Sequence, residues 1–169
     1  MNEHQFCTLA ISLSSRGFGY AVMEGHNSLI CHANKAFKQD RNVRSLVQIG
    51  KLIALYKPDV LVLQDVNAKG TRRAPRIKEL HRKVVALAKK HDLKTVKIPQ
   101  TKLRLTLLGR EDGTKQELAE LMAKQFPDEL AACLPPKRKP WKSEDARMDM
   151  FEAVGLAIAY QLYVKVSLH

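Results

Sequence analysis

The sequence predicts an α/β protein in which a mixed β-sheet is flanked by helices. Short apolar runs dominate the first part of the chain, and segments with helical periodicity then alternate with further short runs. Residues 60–63 (VLVL) are apolar at consecutive positions, which is typical of a central strand buried on both faces. The predicted order is three strands, helix, strand, helix, strand and two helices, which is the order of a layered α/β structure.

Three predicted strands open the chain as an antiparallel meander. They are residues 6–14, 17–25 and 28–37. Only Ser15 and Arg16 separate the first two strands, which predicts a tight turn between them. Gly17 and Gly19 lie at the start of the second strand and allow another backbone segment to approach closely.

Helices and strands alternate in the rest of the chain. Apolar side chains recur at helical spacing in residues 42–56, 77–88 and 114–126. Pro127 ends the third of these helices. A strand is predicted over residues 93–98, and the polar, basic segment over residues 67–76 is a predicted loop.

A basic, proline-rich connector over residues 134–145 leads into the last helix. Ser143 or Asp145 is the predicted N-cap of that helix. Trp141 lies within the connector, where it either stacks on an exposed nucleic-acid base or anchors the connector to the core. The length of 169 residues fits a single domain over residues 1–169.

The charge of the chain indicates a polyanionic partner. There are 29 Lys and Arg residues against 17 Asp and Glu residues, which gives a formal charge of +12. Nucleic acid is the first candidate, and a basic protein without such a partner is the alternative. Because the sequence has no apolar run of about 18 residues and no secretory signal, we expect a cytoplasmic protein that does not bind membranes.

Polar side chains collect where the central strands end and where the last helix begins. In an open sheet flanked by helices, sites form at the carboxyl ends of the central strands. The residues at these places are Ser12, Ser14, Gln64, Asp65, Asp149 and Glu152. Asp149 and Glu152 are three residues apart and share one helix face, where they either bind one ligand or interact with the helix dipole.

Four segments of the sequence resemble RuvC-type Holliday junction resolvases. Residues 11–22 (ISLSSRGFGYAV) resemble their opening pattern I-D-P-G-S-R-x-x-G-Y-G-V, and residues 57–66 (KPDVLVLQDV) resemble their second block, P-D-x-x-A-I-E-Q-V. Residues 114–122 (TKQELAELM) are similar to a third block that opens with a lysine, and residues 149–159 (DMFEAVGLAIA) to the closing block D-A-A-D-A-L-A-I-A. The resemblance implies a ribonuclease H-like fold and phosphodiester hydrolysis with Mg²⁺ or Mn²⁺.

Two of the four acids of that family are absent here. The resemblance places Ser12 at the first aspartate and Gln64 at the glutamate, and it keeps the two late acids as Asp149 and Glu152. Mg²⁺ or Mn²⁺ should therefore bind weakly or not at all, because neutral side chains contribute no charge. Asp65 could join Asp149 and Glu152 as a metal ligand and catalytic residue only if the strand end turns its side chain around.

Lys115 matches the lysine of the third block. The resemblance implies that its charge acts on a scissile phosphate or an attacking water, and an exposed helix lysine is the alternative. Basic side chains elsewhere are candidate nucleic-acid contacts, because cations engage phosphates without reading sequence. They are Arg16, Lys69, Arg72, Arg73, Arg76, Lys137, Arg138 and Lys139. A solvated loop is the alternative for those between residues 67 and 76.

Three functions are consistent with these patterns. The first is a RuvC-like protein that binds branched or structured nucleic acid, alone or in a larger nucleoprotein assembly, with cleavage weakened or lost. The second is an active Mg²⁺-dependent, structure-selective endonuclease that uses Asp65, Asp149 and Glu152. The third is a protein-interaction scaffold, since a fold does not fix a function. The resemblance also implies a homodimer.

Overall fold

The computed structural model describes residues 4–167, in which five strands form one sheet and six α-helices cover it. The strands are β1 (Cys7–Leu13), β2 (Gly17–Glu24), β3 (Ser28–Ala36), β4 (Val60–Gln64) and β5 (Lys94–Ile98). The helices are α1 (Arg41–Tyr56), α2 (Pro75–Lys90), α3 (Gln100–Leu108), α4 (Lys115–Gln125), α5 (Pro127–Leu130) and α6 (Arg147–Ser167), and a 3₁₀ turn spans Ala131–Cys133.

The sheet has the order β3-β2-β1-β4-β5. β1, β2 and β3 are antiparallel neighbours, whereas β4 pairs in parallel with both β1 and β5. This combination of an antiparallel meander with parallel strands confirms the predicted ribonuclease H-like mixed sheet.

Strand alternation divides the interior into two cores, one on each face of the sheet. Ala10 of β1 and Val62 of β4 belong to the core that contains α6. Leu61 and Leu63 belong to the core that contains α1 and α2. Because side chains alternate along a strand, Ser12 and Gln64 face α6.

Helix α3 is the main element that the periodicity did not predict. Its sequence, QTKLRLTLL, alternates polar and apolar residues, which is a strand-like pattern. The helix nevertheless buries two adjacent side chains, Leu103 and Arg104. An arginine with a buried position breaks the apolar stripe by which helices are recognised.

The structure corrects one predicted boundary and decides between the two N-cap candidates of α6. The loop after β4 ends at Ala74, because Pro75 begins α2, so Arg76 lies in a helix rather than in the loop. Of the two N-cap candidates for α6, Asp145 is the one used, since its carboxylate accepts a hydrogen bond of 2.9 Å from the backbone N–H of Arg147. Between the 3₁₀ turn and α6 the connector has no helix or strand.

Helix α6 lies directly on the backbone of β2. A Cβ atom added at Gly19 would come within 2.2 Å of the carbonyl carbon of Asp149. The backbone N–H of Met150 also donates to Oδ1 of Asn34 in β3 at 3.0 Å. The position of the first turn of α6 is therefore fixed by main-chain contact with the sheet.

Among the helices built from residues 4–167, none has the length and apolar character that a bilayer crossing requires.

We expect Gly19→Ala to lower the free energy of unfolding by about 1–3 kcal/mol, because the added methyl group forces α6 away from β2. Gly50→Ala is the matched control. Its Cβ would meet only Cδ2 of Leu87 at 3.8 Å, and alanine is favoured within a helix by roughly 0.5–1 kcal/mol. Urea denaturation of both variants measures the difference, and equal stabilities would contradict the close contact.

Candidate functional site

A cavity of about 310 Å³ lies at the carboxyl ends of the parallel strands. Its walls come from the β1–β2 turn, the β4–α2 loop, the start of α4, the end of the connector and the start of α6. The polar side chains that line it are Ser14, Ser15, Arg16, Arg72, Arg73, Lys115, Glu144, Asp145 and Asp149. We call this space the carboxyl-end cavity. It brings four of the predicted basic residues together with one of the two late acids.

Asp149 is the carboxylate that reaches the carboxyl-end cavity from α6. Burial raises the pKa of its carboxyl above the ordinary value of 3.8, whereas the hydrogen bond from Ser14 and the charge of Lys115 act in the opposite direction. Because burial dominates, the negative charge of Asp149 carries a net free-energy penalty in the folded protein.

Ser12 lies beside Asp149 but adds no charge. Ser12 is 3% exposed and pairs with Gly19 across the β1–β2 ladder. Gly19 in turn contacts the backbone of Asp149. The position therefore lies beneath the first turn of α6, and a hydroxyl occupies it.

Gln64 is held by an arginine from the neighbouring loop. Nη2 of Arg73 donates to Oε1 of Gln64 at 2.6 Å, and Nε2 of His81 donates to the backbone carbonyl of Gln64 at 3.1 Å. Burial lowers the pKa of His81, which favours the neutral ring. Nε2 of Gln64 is buried without a hydrogen-bond partner. A cationic guanidinium thus contacts the side chain at the end of β4.

Glu152 forms a buried ion pair that the sequence did not reveal. Its Oε2 lies 3.6 Å from Nη1 of Arg104 in α3, and both side chains are 4% exposed. Oε1 of Glu152 and Nη1 of Arg104 have no hydrogen-bond partner. The only signal in the sequence was an arginine within a run of alternating leucines, since a buried arginine needs a carboxylate nearby.

Asp65 does not join the two late acids. It follows Gln64 and lies on the opposite face, where its charge acts on His81 of α2. Its Oδ1 accepts a hydrogen bond of 3.0 Å from the backbone N–H of Asn67. No three acidic, histidine or cysteine side chains are grouped as ion ligands in the part of the chain that the structure describes, so the three-acid set with Asp149 and Glu152 is not assembled.

The donor set does not fit a divalent-metal centre. Within residues 4–167, no three His, Cys, Asp or Glu side chains are grouped so that they could hold an ion. Arg73 contacts Gln64, and Arg104 lies beside Glu152. Hard cations require several anionic oxygens. Oε1 of Gln64 is neutral, and a guanidinium group already lies next to it and next to the carboxylate of Glu152.

Lys115 and Arg16 both contact Glu144 of the connector. Nζ of Lys115 donates to Oε1 of Glu144 at 2.9 Å, and Nη2 of Arg16 donates to its backbone carbonyl at 2.6 Å. Lys115 is half-buried at the start of α4, next to the N-cap Thr114. Both cations line the carboxyl-end cavity and are held in place by the connector.

The other predicted basic residues have separate positions. Arg72 lines the carboxyl-end cavity, whereas Lys69 is exposed on the same loop outside its lining. Arg76 is used structurally, because it donates to Oδ1 of Asn42 at 2.7 Å and to the backbone carbonyl of Ser15 at 2.8 Å.

A second cavity of about 310 Å³ adjoins the first along the connector. Lys137 and Arg138 line it, and it shares Lys115, Glu144 and Asp145 with the carboxyl-end cavity. Lys139 is exposed next to these residues. The connector therefore adds basic side chains next to the carboxyl-end cavity.

We expect Asp149→Asn to stabilise the protein near neutral pH. A folded-state pKa above 3.8 means that stability is lost as the pH rises from that value through the raised pKa, and asparagine removes this loss. The difference from the wild type should vanish below pH 3.8. Denaturation curves over a pH series measure it.

Asp145→Asn is the control with the opposite sign. The hydrogen bond from Arg147 lowers the pKa of Asp145 to about 2. Its carboxylate therefore adds stability above the ordinary value of 3.8, and that stability is lost as the pH falls toward about 2. Asp145→Asn should be less stable than the wild type near neutral pH. A stability change of the same sign in Asp149→Asn and Asp145→Asn near neutral pH would contradict the opposite pKa shifts of the two carboxyls.

The fold is shared with Holliday junction resolvases of known structure. The Thermus thermophilus RuvC structure aligns with a TM-score of 0.70 at 13% sequence identity, covering 96% of this chain and 97% of that chain. T. thermophilus RuvC in complex with Holliday junction substrate gives a TM-score of 0.69 at 13% identity, covering 96% of each chain. The yeast mitochondrial Holliday junction resolvase Ydc2 gives a TM-score of 0.59 at 14% identity, covering 92% of this chain and 78% of that chain. No protein-family model and no curated protein matches the sequence. The chain has a RuvC-like fold.

Proposed function

We propose that this chain binds branched or otherwise structured nucleic acid, with branched DNA as its first partner, and that metal-dependent cleavage is weakened or lost. The observation that carries the proposal is the contact between Arg73 and Gln64, in which a guanidinium meets a neutral amide at the end of β4. This contact favours an anionic ligand over a metal cation at the same place.

The cations around the carboxyl-end cavity support phosphate binding. Arg16, Arg72, Arg73 and Lys115 line it, and the chain carries a formal charge of +12. Guanidinium groups bind phosphate oxygens through charge-assisted hydrogen bonds and do not read sequence. One structure with the same fold contains RuvC in complex with Holliday junction substrate, which makes a four-way junction the first DNA to test.

The small number of carboxylates available to hold metal ions supports the loss of cleavage. Metal-assisted phosphodiester hydrolysis uses carboxylates that hold two cations on either side of the reacting phosphate. Ser12 and Gln64 contribute no charge, and Glu152 is paired with Arg104. Of the four acid positions, only Asp149 keeps a carboxylate that lines the carboxyl-end cavity. The other two carboxylates of the lining are paired, Glu144 with Lys115 and Asp145 with Arg147. The alternative, an active Mg²⁺- or Mn²⁺-dependent endonuclease, predicts junction cleavage that a chelator abolishes.

A homodimer is part of the proposal. Two copies related by a two-fold axis would present two carboxyl-end cavities to the arms of one junction. Helix α1 offers an apolar surface for such a contact, because Val43, Val47 and Leu55 are exposed on it. Sedimentation at the mass of one 19.1 kDa chain would remove the dimer from the proposal without affecting nucleic-acid binding.

Arg72→Ala combined with Arg73→Ala should lower the affinity for a four-way junction by about ten-fold or more, because two guanidinium groups that bind phosphate are removed. The slope of log affinity against log salt should become shallower by about one for each phosphate that is no longer neutralised. Wild-type binding should persist in a chelator. Electrophoretic mobility shifts over a salt series measure all three effects.

Lys89→Ala combined with Lys90→Ala is the matched control. These lysines lie at the other end of α2, roughly 20 Å from the carboxyl-end cavity at 1.5 Å per helical residue. The control removes the same charge and should lower the affinity only slightly. Equal decreases in affinity for the two double variants would mean that net charge alone drives binding and would contradict a site at this cavity.

Ser12→Asp, Gln64→Glu and Arg73→Ala together should create a metal site. The triple variant should be less stable than the wild type in a chelator, because carboxylates are then crowded without cations. Mn²⁺ should raise its melting temperature by about 2–4 °C, as expected for a stabilisation near 1 kcal/mol in a domain of this size. Chelator-sensitive junction cleavage is the second measurement.

The wild type is the comparison for that experiment. Its melting temperature should not respond to Mn²⁺, and it should yield no junction product. If wild-type protein cleaves a junction and loses this activity on chelation or in Asp149→Asn, the endonuclease alternative replaces the loss of cleavage.

A further inference from the structure

Trp141 is the only tryptophan of the chain, and it is exposed. Its exposed fraction is 76%, whereas the large side chains Phe18 and Phe151 are each 1% exposed. A tryptophan that anchored the connector to the core would be buried like these two residues. The prediction that Trp141 anchors the connector to the core is therefore wrong, and its indole ring is in contact with solvent.

The turn that carries Trp141 is closed by two hydrogen bonds between residues that precede and follow it. The backbone N–H of Lys142 donates to the carbonyl of Lys139 at 3.0 Å, and Pro140 occupies the second position of this four-residue turn, where proline is favoured. Nη1 of Arg138 donates to the carbonyl of Lys142 at 3.2 Å. The ring is thus presented on an ordered turn, which lowers the entropy lost on binding a ligand.

Basic residues flank Trp141 in the sequence, and one of them lies over its ring. Nζ of Lys139 lies 5.6 Å from the centroid of Trp141, within the range of a cation–π contact. Lys137, Arg138 and Lys142 complete the basic group in the same segment. An aromatic face among cations matches a nucleic-acid strand, whose bases stack on aromatic rings while its phosphates pair with the charges.

The surroundings of Trp141 do not match an apolar partner. Within the connector, residues 134–145, it is the only large apolar side chain that is exposed. Protein-docking surfaces have a contiguous apolar centre with few charges. A lone ring flanked by lysines and an arginine lacks such a centre.

The connector links the turn of Trp141 to the carboxyl-end cavity. Lys137 and Arg138, four and three residues before Trp141, line the second cavity, and that cavity shares Lys115, Glu144 and Asp145 with the first. A strand whose phosphate occupies the carboxyl-end cavity can therefore follow the connector toward the turn.

We propose that Trp141 is a stacking platform for an unpaired base of a DNA strand that leaves the carboxyl-end cavity along the connector. This inference rests on the proposed nucleic-acid binding and adds a preference to it. The preference is for DNA with unpaired bases, such as the opened centre of a junction, over continuous duplex. Duplex bases are stacked on each other and do not offer a free face.

The fluorescence of Trp141 reports stacking directly, because the chain has no other tryptophan. Titration with single-stranded oligothymidine should quench the emission, and titration with a duplex of equal length should change it little. Trp141→Ala should lower the affinity for labelled oligothymidine about ten-fold, which corresponds to about 1.4 kcal/mol. Its duplex affinity should stay within about two-fold of the wild type. Fluorescence anisotropy of the labelled DNA measures both affinities.

Trp141→Phe and Leu162→Ala are the matched controls. Phenylalanine keeps an aromatic face and should retain most of the affinity for oligothymidine. Leu162 is 40% exposed near the carboxyl end of α6, so its replacement removes an exposed apolar side chain outside the proposed binding surfaces and should have no effect. Because both positions are exposed, unchanged melting temperatures should accompany all three variants.

Two results would overturn the inference, and they differ in what they imply for the proposed function. If Trp141→Ala binds oligothymidine as well as the wild type and the emission of the wild type is not quenched, the platform is wrong while junction binding stands. If the wild type binds no DNA at low salt, the proposed function fails first and the platform fails with it.

Discussion

The contact between Gly19 and the first turn of α6 is the constraint on which the rest of the structure depends. β2 and α6 approach so closely there that even a Cβ atom has no space. The hydrogen bond from Met150 to Asn34 holds the same turn on β3. The position of Asp149 at the carboxyl-end cavity is therefore set by main-chain contacts of the first turn of α6.

Around this fixed turn, the charge pattern differs from that of a metal centre. Arg73 contacts Gln64 and Arg104 lies beside Glu152, so a guanidinium group of the protein itself lies at each of these two positions. A guanidinium cannot be deprotonated in proteins and does not lower the pKa of a coordinated water as a metal does. It can still bind a phosphate oxygen. The arrangement therefore supports recognition of a nucleic-acid backbone more strongly than its hydrolysis.

The features that depend on strand alternation and helical periodicity could be predicted from the sequence. The unbroken apolar run over residues 60–63 identified β4, and strand alternation predicted that Asp65 and Gln64 face opposite sides of the sheet. The converging ends of β1, β4 and α6 followed from the order of elements, because parallel strands present their carboxyl ends at one edge.

The features that could not be predicted from the sequence depend on pairing between residues that are far apart in the chain. Arg104 was not singled out as a site residue, because nothing in its sequence neighbourhood identifies Glu152, forty-eight positions later, as its partner. The bond from Arg73 to Gln64 depends on how the loop folds back, which periodicity does not encode. Exposure of Trp141 likewise depends on the turn that carries it, and only coordinates distinguish a buried ring from a presented one.

The buried pair of Arg104 and Glu152 restricts how this protein can change. Replacing either partner alone leaves an uncompensated charge in the interior, which typically lowers stability by about 3–5 kcal/mol, a large part of the roughly 5–15 kcal/mol that keeps a domain folded. Substitutions at this pair must therefore change both positions together, or pass through an intermediate of much lower stability. Glu152 can persist through many generations for this reason alone, without any catalytic role.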